Sequence, residues 1–422
     1  MGKTKKVRTG KAPSRKKLLR YFSEVSEKMG DAGPQAVPGK NCYADGQAFY
    51  SLHWCFRSCL KGDLNRDDPS RFSPVLAAYL GDDDPEIFDP EPVEGGTSTT
   101  VHDKLDRLFP QSKYPLNSYQ IEAVLKALSY PVSIIKGPPG TGKTETILRI
   151  VALALDRGET VAVVSTNGAA VKNVEEKVEE ALSFYGKVSR REAEGIVRRD
   201  LAFAAAFKHA SLGGKKVREG ACDPFTGANL AFDAGTHHFA DGTTMTGWEK
   251  NKSFAEFTAK FPFITSTIHS LKKCFRDGDE AKYDLLIMDE ASQTNLVTGV
   301  VALSCARRIV LVGDEEQLPP VVSDEDCAAA RRTSDELGLF RSEGKEAADS
   351  SPYDMAREGF SFLESCYEVF CRRNSRLRTM LTEHYRCHPA IIGFCNEAVY
   401  GGELEVKTHV DAAAPACPIR IL

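Results

Sequence analysis

Residues Gly137-Pro138-Pro139-Gly140-Thr141-Gly142-Lys143-Thr144 fit the pattern G-x-x-x-x-G-K-[ST] at every constrained position. These residue types at this spacing bind phosphate. Glycines let backbone N–H groups turn inward around phosphate oxygens, and the N-terminus of a following helix adds partial positive charge. Lys143 is placed to reach the β- and γ-phosphates of a nucleotide, and the Thr144 hydroxyl to take a position on Mg²⁺. The flanks are those the motif requires. Pro131 to Ile135 is a short β-branched run that reads as a buried strand, and Glu145 to Leu155 carries apolar residues at helical spacing.

Two further stretches end strands in polar groups. Asp284-Leu285-Leu286-Ile287-Met288-Asp289-Glu290 is an apolar strand that ends in two carboxylates, Asp289 and Glu290. Asp289 suits a metal-holding role, and Glu290 a general base or positioner of an attacking water. Such a pair after a strand is common on its own and gains meaning behind a complete P-loop. Ile309 to Gly313 leads into Asp314-Glu315-Glu316-Gln317-Leu318-Pro319-Pro320. Gln317 could hydrogen-bond a γ-phosphate or the attacking water, or the stretch could be a turn closed by two prolines.

The elements that must position these groups alternate. Strand candidates are Val132–Ile135, Val161–Ser165, Phe263–Thr267, Leu285–Asp289 and Ile309–Gly313, nearly all continuous apolar runs of the kind parallel strands need when both faces are covered. Helices are predicted over Gln120–Leu128, Glu145–Leu155 and Ala169–Leu182, with further helical patterns at Ser361–Phe370 and Arg376–Leu381. This predicts an α/β fold with a mostly parallel, doubly wound sheet, and a ligand at the carboxyl ends of its strands. Residues 185–262 read as an insertion, and 323–355 as a long polar surface segment.

The 422 residues leave room for two or three domains, and 42% hydrophobic with 27% charged residues describes a globular chain. No apolar run approaches the length of a membrane span. The first 20 residues are basic without an apolar core behind them, so they are no secretory signal. They read as a solvated arm, ahead of an arm for nucleic acid, with a linker to residue 40. Residues 41–110 form an N-terminal, mainly helical region of no assignable role. Without a secretory signal, the 12 cysteines are expected as reduced thiols in an intracellular (cytoplasmic) protein. Cys42, His53, Cys55 and Cys59 lack a standard zinc spacing, and an aromatic helix with buried thiols reads better there. The net charge of −4 gives no support for nucleic-acid binding and does not exclude a basic groove.

Taken together, the P-loop, Asp289-Glu290-Ala291-Ser292-Gln293, Gly313 to Pro320, and Leu381-Thr382-Glu383-His384-Tyr385-Arg386-Cys387-His388-Pro389 resemble the superfamily 1 helicases. The resemblance is to the branch with the nonsense-mediated-decay helicase, the Okazaki-fragment nuclease-helicase and bacterial AAA-type relatives, and covers roughly 114–405. It implies a RecA-like P-loop NTPase that binds ATP with Mg²⁺ and acts on single-stranded DNA or RNA, DNA ahead of RNA, with 5′–3′ polarity. By resemblance, Gln120 in Leu116 to Gln120 reads the adenine edge, Tyr385 stacks on adenine, and Arg386 serves as an arginine finger. Thr166 and Asn167, in Ser165 to Val174, and Thr267, in Phe263 to Thr267, would touch the nucleic-acid backbone, positioning the strand without reading its sequence. His384 stands where the family usually has glutamine.

The resemblance also divides the chain. The first RecA-like domain is expected over 111–322, a connecting segment over 323–380, and the start of a second RecA-like domain over 381–422, without the remaining motifs of that domain. The chain would then need a second motor domain or a partner chain, and its own hydrolysis is expected to be slow. Another class of reading is a nucleotide-binding interaction module, or half-motor, that binds ATP without unwinding. A P-loop kinase or GTPase fits poorly, since no guanine-reading motif follows.

Overall fold

The computed structural model describes residues 15–28, 73, 75–76, 98–108, 115–166, parts of 168–177, 236–238, 244–246, 254–255, 258, 262–268, 271, 282–338, 364–373 and 375–408. Its strands are β1 (Val132–Lys136), β2 (Val161–Ser165), β3 (Thr236–His238), β4 (Thr244–Thr246), β5 (Phe263–Thr267), β6 (Tyr283–Met288), β7 (Ala306–Gly313), β8 (Arg378–Met380), β9 (Glu383–His384) and β10 (Glu405–Val406). Six of them form one sheet in the order β5–β2–β6–β7–β1–β8, and every pairing in it is parallel. β9 and β10 form a small parallel pair, and β3 and β4 an antiparallel one.

Five of the six sheet strands are the runs predicted from sequence. Val161 to Ser165 are buried along their whole length, as are Val132 to Lys136, so both faces of the sheet are covered. The covering helices are α1 (Arg15–Lys28), α2 (Ser98–Leu108), α3 (Ser118–Ser129), α4 (Lys143–Asp156), α5 (Leu296–Leu303), α6 (Asp324–Glu336), α7 (Cys366–Arg373) and α8 (Pro389–Ala398). One apolar core joins α1 to α5, α7 and the large sheet. The domain is an α/β unit built on a parallel sheet covered on both faces.

Four expectations need correction. The basic arm is not a free tail throughout: Arg15–Lys28 is helical, and Leu18, Leu19, Phe22 and Val25 are buried. Their spacing gives a face that packs on α6, where Lys17 Nζ donates to Gly338 O at 3.0 Å and Lys28 Nζ to Thr333 Oγ1 at 2.9 Å. Within the polar stretch 323–355, Asp324–Glu336 is a helix. Its signal was Ser323, whose side chain caps Asp326 N, followed by three acids in the first turn. Arg376–Leu381 is not helical. It is a 3₁₀ turn followed by β8, because pairing along β1 satisfies its backbone. The large sheet therefore runs past residue 322. Leu296–Leu303 is a buried helix that no sequence reading proposed.

The cysteine and aromatic cluster at 42–60, most of the insertion, most of Ala169–Leu182 and residues 409–422 lie outside the described residues. Among the described residues, Cys305, Cys327, Cys366, Cys371, Cys387 and Cys395 are free thiols. No described helix is long and apolar enough to cross a membrane.

Candidate nucleotide site

The site is built on the carboxyl end of the sheet, where β1 and β6 flank β7. The P-loop leaves β1 with Gly137 N donating to Gly313 O at 3.0 Å, which ties it to the end of β7. It then turns through Gly140 at φ 80° and Gly142 at φ 84°, left-handed conformations that favour glycine. Space is short as well. A Cβ at Gly137 would stand 2.1 Å from Lys143 Cγ, and one at Gly142 would stand 2.4 Å from Gln120 Nε2. Thr141 Oγ1 closes the loop by donating to Pro138 O at 2.7 Å. α4 opens at Lys143 with no side-chain cap, so its first N–H groups are left for an anion.

Lys143 Nζ lies 3.2 Å from Glu290 Oε1, which makes an ion pair across the cradle. The other oxygen of Glu290 accepts from Gln293 Nε2 at 3.3 Å. Glu290 has φ 53°, the one non-glycine left-handed residue among those described. Such strain at the end of β6 persists only where the surroundings hold it, and it aims the carboxylate back at the P-loop. Asp289 beside it is buried, and its Oδ1 accepts from Glu290 N at 3.0 Å. Burial first, and then the Glu290 charge, push its pKa up to about 6, against the pull of Lys143. A desolvated carboxylate of this kind is a charge short of a cation. With the Thr144 hydroxyl it offers the all-oxygen donors that a hard divalent ion takes. Among the described residues no group of three or more His, Cys, Asp or Glu side chains could hold a metal without other ligands. Thr144 Oγ1 meanwhile accepts from Asn173 Nδ2 at 3.1 Å.

The third motif forms a tight knot. Gln317 Nε2 donates to Asp314 Oδ2 at 3.0 Å, and Tyr400 OH donates to the same oxygen at 2.8 Å. Glu315 accepts from Lys136 Nζ at 2.7 Å and from Arg378 at 2.8 Å. Sequence reasoning missed Asp314, Glu315, Lys136, Arg378 and Tyr400. For Glu315 the signal was its place beside Gln317. The other partners come together only through the fold.

The last motif sits on the P-loop itself. Tyr385 N donates to Gly140 O at 3.0 Å, and a Cβ at Gly140 would stand 2.7 Å from Arg386 Cβ. Among the described residues the Arg386 guanidinium makes no hydrogen bond or ion pair, which leaves it available. Tyr385 is 43% exposed, and its hydroxyl bonds Glu383. Gln120 is 4% exposed and engaged: Oε1 accepts from Asn117 N at 3.1 Å and Nε2 donates to Thr141 O at 3.3 Å. Its amide thus braces the P-loop from α3 as part of a capping box. Thr166 and Thr267 are half-buried at neighbouring strand ends, where Ser165 pairs with Thr267. Asn167 lies outside the described residues.

A parallel α/β sheet with this cradle, acidic pair and third-motif loop defines a P-loop NTPase. The AAA domain family matches residues 120–323. The chain is 26% identical over 308 residues to the DNA-binding protein SMUBP-2 of Rattus norvegicus, covering 70% of this chain and 28% of that protein. It is 24% identical over 291 residues to the DNA replication ATP-dependent helicase/nuclease DNA2 of Saccharomyces cerevisiae, covering 68% and 14%. It is 28% identical over 248 residues to the Regulator of nonsense transcripts 1 homolog of Drosophila melanogaster, covering 56% and 19%. Over the matched stretch the chain is similar to superfamily 1 helicases. It spans less than a third of the length of these relatives.

Proposed function

We propose that the chain is the core of an ATP-dependent nucleic-acid helicase or translocase, with single-stranded DNA or RNA as its partner and 5′–3′ polarity. The observation that carries this reading is the Lys143–Glu290 ion pair at 3.2 Å, set between the P-loop and the buried Asp289.

Across the cradle, lysine and glutamate neutralise one another. An incoming triphosphate offers Lys143 a denser negative charge and releases Glu290. Freed, Glu290 is the base that holds the attacking water and takes its proton. Asp289 and Thr144 would hold Mg²⁺, which would supply charge neutralisation on the bound nucleotide. Gln317, held by Asp314, would hydrogen-bond the γ-phosphate or the attacking water. Arg386 stabilises charge on the transferred phosphoryl group from its seat beside Gly140. Tyr385 offers the exposed ring for the adenine. The engaged amide of Gln120 supports a bracing role for that residue, with its remaining N–H directed to the base. Thr166 and Thr267, with Asn167, hold the strand by its backbone. The free thiols suit an intracellular, reducing compartment.

The test is ATP turnover by the 422-residue chain with and without single-stranded DNA or RNA, beside Lys143→Ala and Glu290→Gln. Turnover stimulated by nucleic acid and lost in both variants is the expected result. Nucleotide binding without any turnover would replace it with a nucleotide-binding half-motor that needs a second motor domain or a partner chain.

A further inference from the structure

His384 is fully buried between the P-loop and the turn that carries Arg386. Its Nε2 accepts from Cys387 N at 2.7 Å, so that nitrogen is unprotonated. A neutral imidazole then carries its proton on Nδ1. Nδ1 is buried without a hydrogen-bond partner and lies 3.0 Å from where a Cβ at Gly140 would stand, on the crest of the P-loop, with the Pro139 backbone beside the ring. On either side the backbone is fixed: Tyr385 N donates to Gly140 O at 3.0 Å, and Lys407 N to His384 O at 2.8 Å.

We propose that His384 is a positioning residue that locks the Arg386 turn to the crest of the P-loop, through an acceptor on Nε2 and a donor on Nδ1. This rests on the functional reading above. A loop that closes on a triphosphate then carries Arg386 with it, because the ring that holds the Arg386 turn through Nε2 presents its buried Nδ1 to the crest of that loop. The role needs one acceptor and one donor on a side chain of this reach. Glutamine supplies both, and phenylalanine fills the space with neither.

Burial lowers the His384 pKa from its ordinary 6.5, the Pro139 carbonyl opposes this, and the Arg386 charge adds to the lowering. The ring is therefore neutral at neutral pH. On acidification Nε2 gains a proton and meets the Cys387 N–H donor to donor. The other charged groups nearby are engaged elsewhere: Glu383 with Tyr385 on the same strand, Lys407 with Glu405 on β10, and Lys143 of the P-loop with Glu290.

The experiment measures the affinity of the 422-residue chain for fluorescent ADP and for a fluorescent non-hydrolysable ATP analogue, between pH 5 and 8. On the functional reading above, Arg386 would reach the γ-phosphate, which ADP lacks, so its seating is read in the ratio of the two affinities. His384→Phe should cut the preference for the triphosphate by about three- to tenfold, the worth of one hydrogen bond, and Arg386→Ala should do the same. His384→Gln should keep the preference. In the wild type the preference should fall as pH drops through the histidine range, and in His384→Gln it should not. Asp289 titrates in both proteins and cancels in the comparison. A wild-type preference in His384→Phe, a loss in His384→Gln, or identical pH profiles for wild type and His384→Gln would each overturn the proposal. Should His384→Phe not fold, the pH comparison of the other two decides. Unchanged binding of both nucleotides by Lys143→Ala would overturn the nucleotide-site reading instead.

Discussion

Glu315→Gln gives a test of how the third motif is held. Lys136 ends β1 immediately before the P-loop and is 7% exposed, and Glu315 is its carboxylate partner at 2.7 Å. Arg378 on β8 shares the same oxygen at 2.8 Å, with a third of its side chain exposed. Removing the carboxylate leaves the lysine charge desolvated between strands, and breaking a buried pair from one side costs roughly 3–5 kcal/mol. Glu315 keeps some solvent contact and glutamine keeps an acceptor, so about 3 kcal/mol is expected. That corresponds to a fall in Tm of roughly 6–12 °C for a unit of this size. Urea and thermal unfolding followed by circular dichroism measure it. Lys136→Met combined with Glu315→Gln should recover most of the loss, because no desolvated lysine charge is then left without a partner. Acid adds a second reading. Burial raises the Glu315 pKa, but the Lys136 hydrogen bond, its own backbone and Arg378 outweigh that and hold it below the ordinary 4.5. The pair therefore stabilises above pH 4.5 and loses that contribution as pH falls through the lowered value, which Glu315→Gln should not do. A cost below about 1 kcal/mol, typical of an exposed pair, would refute the reasoning that Lys136 is desolvated.

Three further outcomes are expected. Gly142→Ala must adopt φ 84° and push a Cβ to 2.4 Å from Gln120, whereas Gly158→Ala at φ 75° meets nothing within 4 Å. Both should cost about 1–2 kcal/mol of backbone strain, and Gly142→Ala alone should weaken fluorescent nucleotide binding at least tenfold. The Asp289 pKa stands at about 6 against an ordinary 3.8, so burying its charge opposes folding above about pH 6 and that cost disappears as pH falls toward 3.8. The nucleotide-free chain should gain up to about 3 kcal/mol of stability on that descent from this group, and Asp289→Asn should not. Mg²⁺-dependent nucleotide affinity should weaken over the same descent, measured by titration at fixed Mg²⁺. Tyr400→Phe removes a donor from the fully buried Asp314 and should cost about 1.5–3 kcal/mol in urea unfolding. It should also lower turnover by freeing Gln317 from its fixed orientation.

Much of this site was legible in the sequence because local chemistry encodes it. Five of the six sheet strands announced themselves as β-branched runs, since a strand buried on both faces has no polar positions to alternate. The P-loop declared itself because its backbone geometry tolerates few residues other than glycine at Gly140 and Gly142. The misses share a cause. Lys28 of α1 finds its partners Thr333 and Glu336 about 300 residues away on α6, and no local pattern shows whether an amphipathic segment has a surface to cover. β8 is three residues long and is a strand only because β1 offers it an edge.

The sequence by itself determined the phosphate cradle, the acidic pair, the order of the strands along the chain and hence the class of nucleotide chemistry. Tertiary structure alone decided how these groups face one another. Lys143 pairs with Glu290 across 147 positions, Tyr400 reaches Asp314 across 86, and His384 comes to rest under the crest of a loop that precedes it by more than 240 residues. Residue type and short spacing fix what a backbone segment can do. Which desolvated charge meets which partner is set by the sheet order β5–β2–β6–β7–β1–β8, which brings distant strand ends to one edge.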